Sequence, residues 1–315
     1  MNFSIITPIH NEEKNIEEFL KQIENIDYNN NFFEIIFIND GSKDKSLKLL
    51  KQFQKKSKIN SKIIKFQINK GRFESRIEGV KASKYNNILL LDAKCLIKNN
   101  TLKIIKELNQ NIICGTVDTK KNSTTQNFLN LIRNKTYKST KEDIFINQKN
   151  FDQIGKGTGL LFIKKSIFLK SIPKNIDKNS SDDTALFKNI LKFEKILKTN
   201  KLQATYNSRQ GLIKNLKHIF QRGPKFVDYY YKPNKNHFWL INLSIIFLTI
   251  LIIQTIKYKL FFEILAIFLI LNTIISTYLA KTIKDFIISF FLSPLFFSSF
   301  FLGILKGLII KIYKK

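Results

Sequence analysis

The chain has little of what staples small secreted domains together. Among 315 residues there are 2 cysteines, 3 histidines, 1 tryptophan and 1 methionine. Cys95 and Cys114 cannot frame a disulfide-rich domain. With only His10, His218 and His237 beside them, they cannot make a structural zinc site unaided. Glycine is scarce too, and no Gly-x-Gly-x-x-Gly or Walker A sequence follows the first apolar run, which excludes a dinucleotide dehydrogenase or a P-loop enzyme. The start, MNFSIITPIHNEE, lacks a basic segment ahead of an apolar one, so no cleavable signal peptide is expected. Acidic residues are few: 24 against 53 Lys+Arg, for a net charge of +29. Apolar residues are not scarce, and 44% of them with 29 Phe excludes wholesale disorder.

The Lys excess has two readings. The sequence is crowded with Lys, Asn, Ile and Phe and poor in Ala, Gly and Arg, as AT-rich coding produces. Alternatively, the charge attracts an anionic surface, lipid or nucleic acid. No aromatic-basic strand motif or recognition helix accompanies it, so nucleic acid is not an expected partner.

Composition changes near His237. Residues 238–256 carry no charge, residues 260–280 carry only Glu263, and residues 286–305 carry none. Such lengths match the hydrocarbon thickness of a bilayer. Pro294 and the Ser298-Ser299 pair make the third stretch a candidate for a kinked or re-entrant segment. The short loops nearly balance in charge, with Lys257 and Lys259 in one, Lys281 and Lys284 in the next, and Lys311, Lys314 and Lys315 at the end. Residues 184–236 hold 12 Lys+Arg against Glu194 and Asp228. By the positive-inside tendency that segment is expected in the cytoplasm. Tyr229–Tyr231 suit the membrane interface.

Residues 1–236 carry a net +23 and alternate between strand and helix patterns. Strands are expected at 3–7, 33–38, 63–66 and 88–91. Helices are expected at 12–26 with Asn11 as N-cap, at 44–53 and at 72–84. This alternation predicts an α/β sheet with crossover connections and no internal repeat. Ligands bind beyond the carboxyl ends of such strands. Thr7, Asn39, Asp40 and Asp92 stand at those ends. Each alone is explained as a turn or cap residue; the set is explained less well. GKGTG at 155–159 lacks the strand and the Lys-Ser/Thr of a phosphate loop and reads as a flexible loop.

The series SIITPIHNEEKNIEEFL, FEIIFINDGSKDKSLKLL, KGRFESRIEGVKAS and NILLLDAKCLI, over residues 3–97, followed by SSDDTALFKNI, resembles the family 2 glycosyltransferases of GT-A fold. The likeness continues more weakly to about residue 230. It implies a GT-A, Rossmann-like nucleotide-binding domain over 1–213, a basic juxtamembrane segment over 214–236 and a membrane domain over 237–315. That membrane domain would hold two to three transmembrane helices, near 238–256, 260–280 and 286–310. The implied activity is inverting transfer of a sugar from a UDP-, GDP- or dTDP-sugar to a lipid-linked or cell-envelope glycan at the cytoplasmic membrane.

By the same resemblance, Thr7 and Pro8 open the nucleotide pocket and Asp40 meets the base edge. Arg76 lies against the nucleotide, and Asp92 is the first Asp of an Asp-x-Asp motif. Asp183 is the general base, with Asp182 its neighbour at the acceptor. Arg222 and His218 meet either the diphosphate or lipid headgroups. Where the family has a second, metal-binding Asp, this chain has Lys94. Either the Lys94 ammonium replaces the cation, or the site is inactive, or Asp92 and another ligand still hold Mg²⁺ or Mn²⁺. A polyprenyl-phosphate acceptor and a non-catalytic scaffold stand as alternatives to the glycan transferase. Sequon-like strings at Asn122 and Asn134 carry no meaning on a cytoplasmic domain.

Overall fold

The computed structural model describes residues 1–119, 123–137, 142–174, 180–208 and 211–313. Asn122, Lys314 and Lys315 lie outside the described residues. The chain forms two compact units, residues 1–120, 136–178 and 182–208 in the first, and residues 121–135, 179–181 and 209–315 in the second.

In the first unit the strands are β1 (Phe3–Ile9), β2 (Phe33–Asp40), β3 (Asn60–Phe66), β4 (Asn87–Leu91), β5 (Cys95–Ile97), β6 (Ile112–Thr119), β7 (Ile144–Ile146), β8 (Leu160–Lys164) and β9 (Ile196–Tyr206). The helices are α1 (Ile16–Glu24), α2 (Ser46–Lys56), α3 (Arg72–Lys81), α4 (Thr101–Leu108), α6 (Lys165–Lys170) and α7 (Asp182–Ile190), while α5 (Thr124–Thr136) belongs almost wholly to the second unit. One sheet runs in the order β3-β2-β1-β4-β8-β6-β9-β5, with β7 also on β9. Strands β1 to β4 pair in parallel, as the alternation predicts. Beyond β4 the sheet is mixed: β8 runs antiparallel to β4 and β6, and β6 runs parallel to β9.

Every residue of β1 and β2 is buried. Helices cover both faces, so these strands read as unbroken apolar runs rather than alternating ones. Phe3, Ile5, Phe33, Ile35 and Phe37 pack with Phe19 of α1 and Phe53 of α2. Ile6 and Ile38 face α3, whose Gly79 leaves no room for a Cβ beside them.

The first helix starts later than its pattern suggests, at Ile16 rather than residue 12. Asn11 does not cap it. Asn11 sits at φ 53 and its side-chain oxygen accepts from Lys43 N at 2.9 Å. Its amide is spent on joining the loops after β1 and β2. Gly41, in the second of these loops, has φ +64, and a Cβ there would lie 2.7 Å from Asn69 N. Only glycine fits that turn.

The second unit is helical: α5, α8 (Leu212–Tyr230), α9 (Asn236–Tyr258), α10 (Phe261–Leu279) and α11 (Ile283–Tyr313). Three of these, α9, α10 and α11, are long and apolar enough to cross a membrane. Large apolar side chains such as Trp239, Phe247, Phe262 and Phe291 are exposed on them. Pro294 stands inside one 31-residue helix rather than dividing two segments. α8 and α11 meet at glycines: a Cβ on Gly223 would lie 2.0 Å from the Gly303 carbonyl carbon. Asn272 of α10 accepts from Ser293 Oγ of α11 at 2.6 Å and donates to Phe290 O at 2.9 Å. These bonds satisfy polar groups that lipid could not.

Candidate functional site

The carboxyl ends of β1, β2 and β4 lie side by side because these strands are parallel neighbours. Thr7 and Pro8 are buried in β1. The Thr7 hydroxyl and the Asn39 side-chain oxygen have no hydrogen-bond partner among the described residues. Asp40 closes β2 and is 2% exposed. Its two oxygens accept from the backbone N–H of Lys70 at 2.6 Å and of Gly71 at 2.9 Å. The carboxylate thereby holds the turn that leads into α3. His10 Nδ1 donates to the Asp40 carbonyl at 2.6 Å. Each Asp40 oxygen still has a lone pair for another donor.

Arg76, one turn into α3, is the largest fully buried side chain among the described residues. Its Nη2 donates to Asp92 Oδ1 at 2.6 Å and its Nη1 to Asp183 Oδ1 at 3.4 Å. One guanidinium therefore joins the acid after β4 to the acid in the first turn of α7. Acids are favoured in that turn by the helix dipole, and Asp182 shares it. Asp92 is placed by its own backbone, whose N–H donates to Gly159 O at 3.1 Å. Its Oδ2 accepts from Arg72 Nη1 at 3.2 Å. Burial pushes the Asp92 carboxyl up, but Arg76 and Arg72 outweigh it and hold the group below the usual carboxylate range.

Asp183 takes a second set of bonds from the loop ahead of β8. Thr158 Oγ1 donates to its Oδ1 at 2.5 Å and Thr158 N to its Oδ2 at 3.4 Å. The side chain remains 37% exposed. The GKGTG segment is thus not the free loop its composition suggested. Thr158 is fully buried, and Lys156 donates to the carbonyls of Phe151 and Ile154. Burial pulls the Lys156 ammonium down to about 8.

Lys94 is held by Glu12, with Nζ 3.1 Å from Oε1 and side chains only 19% and 16% exposed. Arg222 and His218 lie on α8, in the second unit. The structure brings Arg76, Asp92 and Asp183 together directly, with Asp40 at the end of β2, one strand beyond β1. Reasoning from sequence missed Arg72, Thr158 and Glu12 as their partners. Arg72 stood within the KGRFESR motif, and Thr158 within a loop set aside for lacking phosphate-loop features.

The donor set does not fit a divalent cation. Both Asp92 oxygens face guanidinium groups, and Lys94, two residues on, is a cation paired with Glu12. Among the described residues no three His, Cys, Asp or Glu side chains gather as ligands.

The chain is similar in sequence to curated proteins and in fold to solved structures. A stretch of 118 residues is 31% identical to the "Uncharacterized protein MJ0544" of Methanocaldococcus jannaschii, covering 35% of this chain and 49% of that one. Over 115 residues the chain is 27% identical to a poly-beta-1,6-N-acetyl-D-glucosamine synthase of Staphylococcus epidermidis, 36% of this chain and 27% of that one. The chain thus spans half or less of these curated relatives. Among solved structures, Staphylococcus aureus TarS 1-349 in complex with UDP-GlcNAc superposes with TM-score 0.54 at 19% identity, over 72% of this chain and 67% of that one. The Pyrobaculum calidifontis mannosyltransferase PcManGT, in complex with GDP-Man and Mn²⁺, superposes with TM-score 0.53 at 15% identity, over 72% and 62%. At these identities the likeness is one of fold. The family described as "Glycosyl transferase family 2" matches residues 4–166. That span is just over half of the chain and holds every strand end that builds the site, so the chain belongs to glycosyl transferase family 2.

Proposed function

We propose that the protein is a membrane-anchored inverting glycosyltransferase, moving a sugar from a nucleotide-sugar donor to a lipid-linked or cell-envelope glycan. The observation that carries this is the Arg76 bridge, 2.6 Å to Asp92 and 3.4 Å to Asp183. It sets one carboxylate at the donor end of the strands and a second, more open one beside it. The acceptor hydroxyl oxygen bonds to the anomeric carbon, and its proton passes to Asp183. The bond from that carbon to the diphosphate breaks, and its electron pair leaves with the nucleoside diphosphate. One base acting from the opposite face gives a single displacement and inversion. Asp40 and Thr7 are assigned to the nucleotide, and Asp182 to the acceptor.

Similarity to the N-acetylglucosamine polymer synthase and to TarS supports an envelope glycan as the acceptor. Helices α9 to α11 support the anchor. The basic segment before α9 supports a multi-pass protein with its catalytic unit in the cytoplasm.

The test is nucleotide release by the detergent-purified chain, with UDP-, GDP- and dTDP-sugars and a membrane lipid extract. Asp183→Asn is expected to lower turnover by about 10²–10⁴-fold. Full activity in that variant would assign the chemistry to an acceptor needing no base, such as a polyprenyl phosphate. No release from any donor would overturn the transferase reading.

A further inference from the structure

Three cations surround Asp92 in sequence or in space, and they are not equivalent. Arg76 is buried, with 2% of its side chain exposed, and is divided between two carboxylates. Lys94 is mostly enclosed and engaged by Glu12 at 3.1 Å. Arg72 touches Asp92 at 3.2 Å yet is 56% exposed. It spends one N–H on the acid, of the five a guanidinium carries. It is the cation of the three that is both aimed at the site and open to solvent. Arg72 and Arg76 offset the charges of Asp92 and Asp183, which leaves Asp182 as a single further acid near Arg72 to set against a dication.

We infer that Arg72 is the cation that receives the donor's diphosphate, in the role a divalent metal ion takes beside an Asp-x-Asp pair, so that donor binding does not depend on added metal. This rests on the nucleotide-sugar reading above. Arg76 fixes Asp92, and Asp92 holds the Arg72 guanidinium at the strand ends until the diphosphate arrives. The guanidinium then exchanges one anion for another with no change in its own protonation. Its planar donor pair matches a phosphate edge as an ammonium cannot. When the anomeric carbon–oxygen bond breaks, the electron pair settles on the departing phosphate oxygen. The hydrogen bonds from Arg72 strengthen as that charge grows. The net +23 of residues 1–236 adds a long-range attraction for the anionic donor.

The test is equilibrium binding of UDP, GDP, dTDP and their monophosphates to the full chain in detergent, in EDTA and again in MgCl₂ or MnCl₂. Wild type, R72M, R72K and K94M are compared. Wild-type diphosphate affinity is expected to be the same in EDTA and in metal. R72M is expected to weaken the diphosphate about tenfold or more, the loss for a hydrogen bond to a charged group. Its monophosphate affinity holds, which also reports that it is folded. R72K recovers part of the loss, and K94M loses less than R72M. Diphosphate binding that vanishes in EDTA overturns the inference and leaves the transferase standing. So does an R72M variant that binds diphosphate like wild type, or a larger loss in K94M. No binding of any nucleotide in either condition overturns the transferase reading and the inference with it.

Discussion

Thr158 shows how much a single hydroxyl can carry at this site. It is fully buried and donates to Asp183 at 2.5 Å, so it holds that carboxylate in place. Thr158→Val keeps the shape and removes the donor. Its kcat is expected to fall about tenfold or more while nucleotide affinity holds, and T158S to recover most of the rate. Steady-state kinetics with nucleotide binding measured in parallel separates the two.

Asp92 gives a second residue-scale expectation. Its carboxyl is lowered in the folded state, so its stabilisation is present in full above about pH 4, the unfolded value. It is lost as the pH falls through the lower folded value. Asp92→Asn is therefore expected to flatten the acid limb of stability below pH 4. At neutral pH it should cost about 3 kcal/mol, because buried Arg76 loses its closer partner. Unfolding followed by circular dichroism across pH 2–7 checks both. Lys156 is also lowered, but by burial of its charged form, so it costs stability at neutral pH and the cost fades as the pH rises. Its folded value of about 8 lies below the ordinary lysine value near 10.4, so the unfolded chain holds more protons between them. The stability difference between wild type and K156M is expected to shift in favour of wild type as the pH rises through that window.

At the scale of elements, the close contact of α8 with α11 depends on side chains being absent. A Cβ on Gly303 would stand 2.2 Å from Phe220 O, and one on Gly307 2.8 Å from Pro224 Cα. Backbone so near cannot yield as a flexible side chain would. Gly303→Val is expected to push the two helices apart and lower the melting temperature of the detergent-solubilised chain by several degrees. A valine at an exposed α9 position such as Leu243, L243V, is expected to do little. Equal effects from the two would mean that α8 and α11 do not rely on the glycine contact. The same principle operates at Gly41, where the loop after β2 runs against the backbone of Ile68 and Asn69.

At the scale of the whole molecule, composition changes near His237, whereas the second compact unit already takes in residues 121–135 and begins its long run at 209. Polar residues concentrate in the first unit, and α9 to α11 present exposed apolar surface long enough to cross a membrane. The protein is expected to resist extraction from membranes by high salt or alkaline carbonate and to require detergent. The basic segment predicts its orientation. Both native cysteines are buried, so a cysteine at position 235 reports with little background. K235C is expected to react with a membrane-impermeant maleimide in inverted vesicles and not in intact cells. The reverse pattern would place the catalytic unit on the outside.

The sequence by itself determined the strands β1 to β4, the helices between them, the apolar segments and the family. Strand and helix periodicities are local, and the site acids stand at strand ends that such periodicity locates. It also exposed the exchange of an acid for Lys94. What only the tertiary structure decided is who pairs with whom. Asp92 and Asp183 meet through Arg76 because β8 inserts beside β4 and brings Thr158 and α7 with it, a long-range antiparallel pairing that no local pattern encodes. Lys94 turns to Glu12, which follows β1, and Arg72 is left open over Asp92 at the start of α3. Charge can be counted from a sequence; which charges neutralise each other depends on distances of a few ångströms, and those are set by packing.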